Sequence, residues 1–239
     1  MSVAISVVMP AHNEAELLEL SVDEVVEGLR VRGDAFEILV IENGSADATS
    51  SIAAHLAETI AEVETTSLPQ ADYGRALRTG LLAARGVTVV NFDVDYYDLA
   101  FVDEALTKLG DAPLPAVVVG SKRAPGARDT RPWFRRVITW GFATLLRHGF
   151  GLHVSDTHGM KATVRERVQT LARQCRFDGD LFDTELVIRS ERAGLGVAEV
   201  PVTVEERRPS RTSVVRRAVR TLGGMVRLRI VLWREGRRA

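Results

Sequence analysis

The feature that most constrains this chain is an alternation in its first half. Short apolar, β-branched runs fall at 4–10, 36–41, 87–92 and 116–119, and a more polar stretch at 63–68 is expected to be a further strand. Between them lie stretches of helical period, the first an acidic one reaching residue 32, then 45–61, 73–85 and 99–109. Uninterrupted apolar runs of this length suit strands buried on both faces. Short links between such strands and helices imply right-handed βαβ units. The alternation therefore predicts an α/β fold with a mostly parallel central sheet and helices on both faces. Ligands of such sheets bind beyond the carboxyl ends of the strands. Three predicted strand ends carry polar residues there: Asn13 and Glu14, Glu42 and Asn43, and Asp93 and Asp95.

The last pair closes the run Val89-Val90-Asn91-Phe92-Asp93-Val94-Asp95. Side chains alternate along a strand, so both carboxylates project the same way if the chain stays extended. Paired carboxylates at a sheet edge suit a hard divalent cation, which takes oxygen ligands and keeps positions open for phosphates. A solvated turn would use the same residues.

The second half changes character. A basic loop rich in Gly and Pro spans 122–132 and a helix spans 133–146. A loop at 149–159 follows, then helices at 165–174 and 182–193, the latter with Asp183 and Glu185 at its start. A strand at 197–204, interrupted at Pro201, is expected at a sheet edge, where the missing N–H costs no ladder bond. The length of 239 residues accommodates one large domain with a tail. The lone Cys175 excludes an internal disulfide, fits a reducing compartment, and reads as a small buried hydrophobe. Met1 leads straight into a strand without a signal sequence, and no apolar stretch reaches a membrane span. A cytoplasmic location is expected.

The motifs, taken in order, carry a resemblance. They are Val8-Met9-Pro10-Ala11-His12-Asn13-Glu14, Ile41-Glu42-Asn43-Gly44-Ser45-Ala46-Asp47-Ala48-Thr49 and Tyr73-Gly74-Arg75-Ala76-Leu77-Arg78-Thr79-Gly80. They continue with Asp93-Val94-Asp95, Val119-Gly120-Ser121-Lys122-Arg123, Ser155-Asp156-Thr157-His158-Gly159-Met160-Lys161 and Ala198-Glu199-Val200-Pro201. Over roughly residues 4–213 the chain resembles the GT-A glycosyltransferases, specifically the inverting family 2 branch of dolichol-phosphate mannosyltransferases and polyprenyl-phosphate glycosyltransferases.

That resemblance implies a nucleotide-sugar donor, with Asp93 and Asp95 holding Mg²⁺ or Mn²⁺ against its pyrophosphate. It implies that Pro10, Ala11, Asn13 and Glu14 line the base and ribose pocket, that Glu42 and Asn43 read base or ribose hydroxyls, and that Gly74 lets the backbone approach the nucleotide. Lys122, Arg123 and Arg135 stand where the family keeps basic residues near the acceptor phosphate. Asp156 matches an active-site carboxylate, and Arg207 matches a basic residue of a loop that closes on the pyrophosphate. The alternatives stay open: Glu14 as a helix-dipole acid, Asn43-Gly44 as a plain turn, and the basic residues as a solvated face. Departures from the family pattern are Asn43 for the second Asp of an Asp-Asp-Gly-Ser strand end, and Tyr97 where a Gln often completes the metal ligands, so that Asp98 or water would substitute. His158 replaces a small polar residue, and Pro209-Ser210-Arg211-Thr212-Ser213 replaces a closing Gly-Ser-Lys.

The net charge of -1 hides an asymmetry: from Arg207 onward there are eleven arginines and one acid, Glu235. Residues 214–238 read as an amphipathic helix suited to an anionic membrane surface. A dimerisation helix is a second reading, and nucleic-acid binding lacks any motif. The expected organisation is a GT-A domain over 1–213 and a basic helix over 214–239. The expected activity is metal-dependent, inverting sugar transfer from a UDP- or GDP-sugar to a polyprenyl or dolichyl phosphate. Transfer to a soluble or glycan acceptor, and nucleotide-sugar binding without catalysis, are the alternatives.

Overall fold

The computed structural model describes residues 3–112, 114–129, 133–154, 156–157, 159–204 and 214–237. Side chains are described for all of these except 128–129, 133–139, 204, 214–220 and 236. In chain order the elements are β1 (Ile5–Ala11), α1 (Leu18–Arg32), β2 (Phe36–Asn43), α2 (Thr49–Thr59), β3 (Val63–Leu68), α3 (Tyr73–Ala83), β4 (Thr88–Asn91) and α4 (Leu99–Gly110). Then follow β5 (Val117–Ser121), β6 (Arg128–Asp129), α5 (Trp133–Phe150), β7 (Lys161–Val164), α6 (Arg165–Gln174), α7 (Leu181–Arg192), β8 (Val197–Pro201), β9 (Thr203–Val204) and α8 (Val214–Gly236).

Seven strands form one sheet in the order β3-β2-β1-β4-β7-β5-β8. All neighbouring pairs are parallel except those of β7, which runs antiparallel to both β4 and β5. The alternation of side chains divides the core into two layers. Val7, Met9, Ile38, Val40 and Val90 face α1, α2 and α4, while Val8, Leu39, Ile41 and Val89 face α3, α6, α7 and α8. Each residue of β1 is buried, as a central strand covered on both faces requires. The chain moves outward from β1 through β2 to β3 and then crosses to β4 on the other side. This reversal opens a crevice at the carboxyl ends of β1 and β4.

β8 is the outermost strand, so Pro201 lies at a sheet edge as predicted. Strand β7 is new: four residues, Lys161-Ala162-Thr163-Val164, inside the sheet, between the expected 149–159 loop and the helix from 165, where the sequence suggested no element. The turn after β4 also differs from expectation. β4 stops at Asn91, and mutual backbone hydrogen bonds between Asp93 and Tyr96 (both 3.1 Å) fold 93–96 into a tight turn. Asp93 and Asp95 therefore do not share a side by strand alternation; the turn juxtaposes them instead.

Candidate active site

The loops beyond β1 and β2 are laced together. The Asn43 carbonyl accepts a hydrogen bond from His12 Nδ1 (2.7 Å), which puts the ring proton on that nitrogen and leaves Nε2 to accept from Asn13 Nδ2 (3.1 Å). The Asn13 amide donates to Ser45 Oγ (3.0 Å) and its Oδ1 accepts from the Ala46 amide (2.8 Å). Glu14 and Ala15 amides donate to Thr49 Oγ1 (2.8 Å) and Asp47 Oδ2 (3.3 Å). Asn13 holds φ 55°, the only positive value at a non-glycine residue among those described. Such a conformation persists only where its surroundings hold it, and it recurs at ligand clamps. Pro10 and Ala11 end β1 opposite Ile41 and Glu42, so they form the floor under this loop pair.

Glu42 and Asn43 are both buried. Glu42 Oε1 accepts the Ser45 amide (2.6 Å), and Asn43 Oδ1 accepts the Asp72 amide (2.7 Å). Each thus spends part of its hydrogen-bonding capacity on shaping the loops. Gly44, at φ 62°, sits where a Cβ would lie 2.8 Å from backbone atoms of Gln70 and Ala71, so only glycine fits this turn. A Cβ on Gly74 would meet Gly179 N at 2.6 Å and Phe182 Cβ at 2.7 Å. The close approach that Gly74 permits here is to the chain's own 179–182 segment.

Helix α3 links these loops to the carboxylate pair. Asp72 caps the helix by accepting from the Arg75 amide (2.9 Å) and also accepts from the Gly179 amide (2.8 Å). On the next residue, the Tyr73 hydroxyl donates to Asp93 Oδ1 (2.6 Å). The Asp93 carboxyl is held above the usual carboxylate range, first by burial and then by the nearby charges of Asp95 and Asp183; the Tyr73 hydrogen bond and Lys161 oppose this. A divalent cation suits this set: two hard oxygen donors whose mutual repulsion it would relieve. Among the described residues no third His, Cys, Asp or Glu joins them in a metal-sized group. Asp98 Oδ1 accepts the Ala100 amide (2.9 Å) as the N-cap of α4. Tyr97 turns away to donate to Glu24 of α1.

A second buried cluster backs the pair. Lys161, 1% exposed, donates to Asp183 Oδ2 (2.8 Å) and to the carbonyls of Gly159 (2.8 Å) and Thr157 (3.2 Å). Glu185, wholly buried, accepts from the Arg176 and Phe177 amides (2.8 and 2.9 Å) and from Arg189 Nε (2.8 Å). The acidic start of α7 is thus an internal anchor, not a surface complement to the helix dipole. Lys161 ties down the segment that carries Asp156. Asp156 is itself buried; its amide donates to Glu199 Oε1 (3.1 Å) and its Oδ1 accepts from the Thr157 amide (2.8 Å). Lys122 Nζ lies 5.9 Å from the centre of the Tyr96 ring, and both Tyr96 and Lys122 approach Gly159. Lys122, the 93–96 turn and the 156–159 segment therefore converge.

The Arg135 side chain, Arg207 and His158 lie outside the described residues. Sequence reasoning missed Tyr73 and Lys161. Both belong to motifs it had singled out, but each acts through a partner far away in the chain.

An open α/β sheet with knitted loops at its topological switch point, and a carboxylate pair beside them, places these residues where ligands of such sheets bind. The Glycosyl transferase family 2 profile matches residues 6–171, and the chain belongs to that family. Its sheet is that of the GT-A enzymes. It is 34% identical over 222 residues to glycosyltransferase AglD of Haloferax volcanii, covering 90% of this chain and 35% of AglD. It is 29% identical over 219 residues to a dolichyl-phosphate beta-glucosyltransferase of Drosophila melanogaster, covering 84% of this chain and 67% of that enzyme. This chain thus spans about a third of AglD and two thirds of the Drosophila enzyme. Among solved structures, glucosyl-3-phosphoglycerate synthase of Mycobacterium tuberculosis in complex with Mn²⁺, uridine diphosphate and glucosyl-3-phosphoglycerate superposes with a TM-score of 0.65 at 25% identity. That superposition covers 94% of this chain and 76% of the synthase.

Proposed function

We propose that this chain transfers a hexosyl group, with inversion, from a UDP-sugar to a polyprenyl phosphate, using Mg²⁺ or Mn²⁺. The observation that carries the reading is the Asp93–Asp95 pair. Burial and the charge of Asp95 hold the Asp93 carboxyl up, with the Tyr73 hydroxyl and Lys161 offsetting them only in part, while the neighbouring Asp183 and Glu185 are ion-paired to Lys161 and Arg189. When bound, the cation neutralises the charge that develops on the leaving nucleoside diphosphate. Tyr73 holds one oxygen of Asp93 and leaves the other to the metal. Asn13, Glu14, Glu42 and Asn43, braced as described, form the base and ribose side, with Pro10 and Ala11 beneath. An acceptor phosphate is already an anion and needs no strong base. It needs a cation and alignment on the anomeric carbon, which Lys122 and Arg135 would supply with Asp156 orienting them. Arg207 would close on the pyrophosphate.

The preference for UDP over GDP rests on the uridine diphosphate bound to the mycobacterial synthase. The lipid acceptor rests on the dolichyl-phosphate enzymes among the relatives. The same synthase, bound to glucosyl-3-phosphoglycerate, supports a second reading with a soluble phosphorylated acceptor. Radiolabelled UDP-glucose and GDP-mannose, offered with each metal and with polyprenyl phosphate or phosphoglycerate, separate the two. Label in a butanol-extractable, acid-labile product supports the lipid acceptor; label only in the aqueous phase replaces it with the soluble one. No turnover of any donor leaves a binding protein.

A further inference from the structure

Helix α8 has two apolar sides, and only one of them is covered. Inward, Met225, Leu228 and Leu232 are buried in the core layer shared with α7. Glu235 locks that side by accepting from Arg189 Nη1 (3.0 Å) and Arg176 Nε (3.0 Å). Outward, Leu222, Val226, Ile230 and Trp233 are 51, 61, 44 and 50% exposed. Their spacing of four, four and three residues makes one stripe, about 17 Å long at 1.5 Å per residue. By the same geometry Arg229 lies along one flank of the stripe, and Arg227 and Arg234 along the other. Arg237 stacks on the Trp233 ring at 3.8 Å. The helix has a single acid, Glu235, and it faces inward.

We propose that this outer face of α8 lies in the interface of an anionic membrane, with the helix parallel to the surface. An apolar stripe ending in tryptophan and flanked by arginines matches acyl chains below and lipid phosphates alongside. Among the described residues no helix is long and apolar enough to cross a membrane. A second copy of the chain is a poor occupant. A two-fold contact sets a patch against itself, and here arginines would meet arginines with no acid between them. Near the C-terminal end of α7, Arg192 lies close enough to Arg229 and Arg189 for their repulsion, after burial, to hold its guanidinium below its ordinary range. Anionic headgroups would relieve that crowding. The inference stands apart from the acceptor assignment, because a surface-bound enzyme can serve a soluble acceptor.

Flotation of the full chain with phosphatidylcholine vesicles, with and without phosphatidylglycerol, tests it. The chain should float with the anionic vesicles at low salt, stay down with phosphatidylcholine alone, and be released as salt rises. The double variant Val226→Asp, Ile230→Asp should lose flotation. Both positions are solvent-exposed, so its melting temperature and donor turnover should not change. Arg227→Gln and Arg234→Gln should each weaken partitioning about fivefold. Failure to float on anionic vesicles at low salt overturns the proposal, as does flotation that survives the double variant. A dimer in solution that Ile230→Asp dissolves assigns the face to self-association instead. Donor turnover measured in parallel without vesicles distinguishes failure of this face from failure of the glycosyltransferase reading.

Discussion

Two acidic pairs of the same spacing meet opposite fates in this protein. Asp183-Thr184-Glu185 opens a helix whose first turns are buried, and its charges are answered from within: Lys161 on one acid, Arg189 and two backbone amides on the other. Asp93-Val94-Asp95 sits in a turn at the crevice, where one phenol is the only described hydrogen-bonding partner of its carboxylates and its two members repel each other. A buried acid whose partners are built in is an anchor. An acid pair left short of positive charge at a strand end suits a cation that comes from outside, which is the role proposed for Asp93 and Asp95. The difference teaches that spacing alone does not separate structure from chemistry; the supply of partners does.

The strongest way to break the comparison is to remove a member of each pair. Asp95→Ala should lower metal-dependent donor turnover by about a thousandfold or more and leave the melting temperature within a few degrees of the parent. Unchanged turnover would remove Asp95 from the site. Lys161→Met should do the reverse in kind. It strands Asp183 without its counter-charge and should cost about 3–5 kcal/mol of folding stability, read from urea denaturation. A cost under about 1 kcal/mol would show that the second pair is not an anchor.

Tyr73→Phe sharpens the contrast from the other side. It deletes the hydroxyl that orients Asp93, and outer-shell losses of this kind weaken metal binding about 10- to 100-fold. Titration of Mn²⁺ by calorimetry reads it directly, with the melting temperature of the metal-free protein as a control for folding.

A smaller effect should appear in the pH dependence of the metal-free fold. The folded chain holds the Asp93 proton more tightly than the unfolded chain does, so this group favours folding on the acid side. Its contribution is lost as pH climbs from the ordinary carboxylate range through the raised value. Asp93→Asn removes that loss, so the variant should melt higher than the parent at neutral pH, with the gap closing toward about pH 4. A gap that widens on acidification would contradict the sign. Cys175, buried and with its thiol pushed up to about 12, should resist thiol reagents until the chain unfolds.

Much of the sheet was legible because its central parallel strands β1, β2, β4 and β5 are dominated by apolar residues, a local signal. Strand β7 was not, because four residues that include a buried lysine carry no such signal. They are a strand only because β4 and β5 offer edges on both sides. In the site, the strand-end residues Asn13, Glu42 and Asp93 announced themselves by position. The geometry between Asp93 and Asp95 did not, since the Asp93–Tyr96 bridge ends the strand earlier than its apolar run suggested. Tyr73 and the Lys161–Asp183 pair were hidden for one reason: their partners lie 20 and 22 residues away, and sequence periodicity does not report such meetings.

Strand β7 also sets the order in which the sheet can be finished. During synthesis from the N-terminus, β1 to β4 can pair as soon as they emerge, but the free side of β4 then waits for residues 161–164. Until they arrive, an apolar strand with unpaired backbone groups stands open to other nascent chains. The seam beside β4 thus closes late, ahead of only the outer β5–β8 pairing. Changes that slow the arrival of β7, more than those that weaken the finished fold, should appear as aggregation during expression.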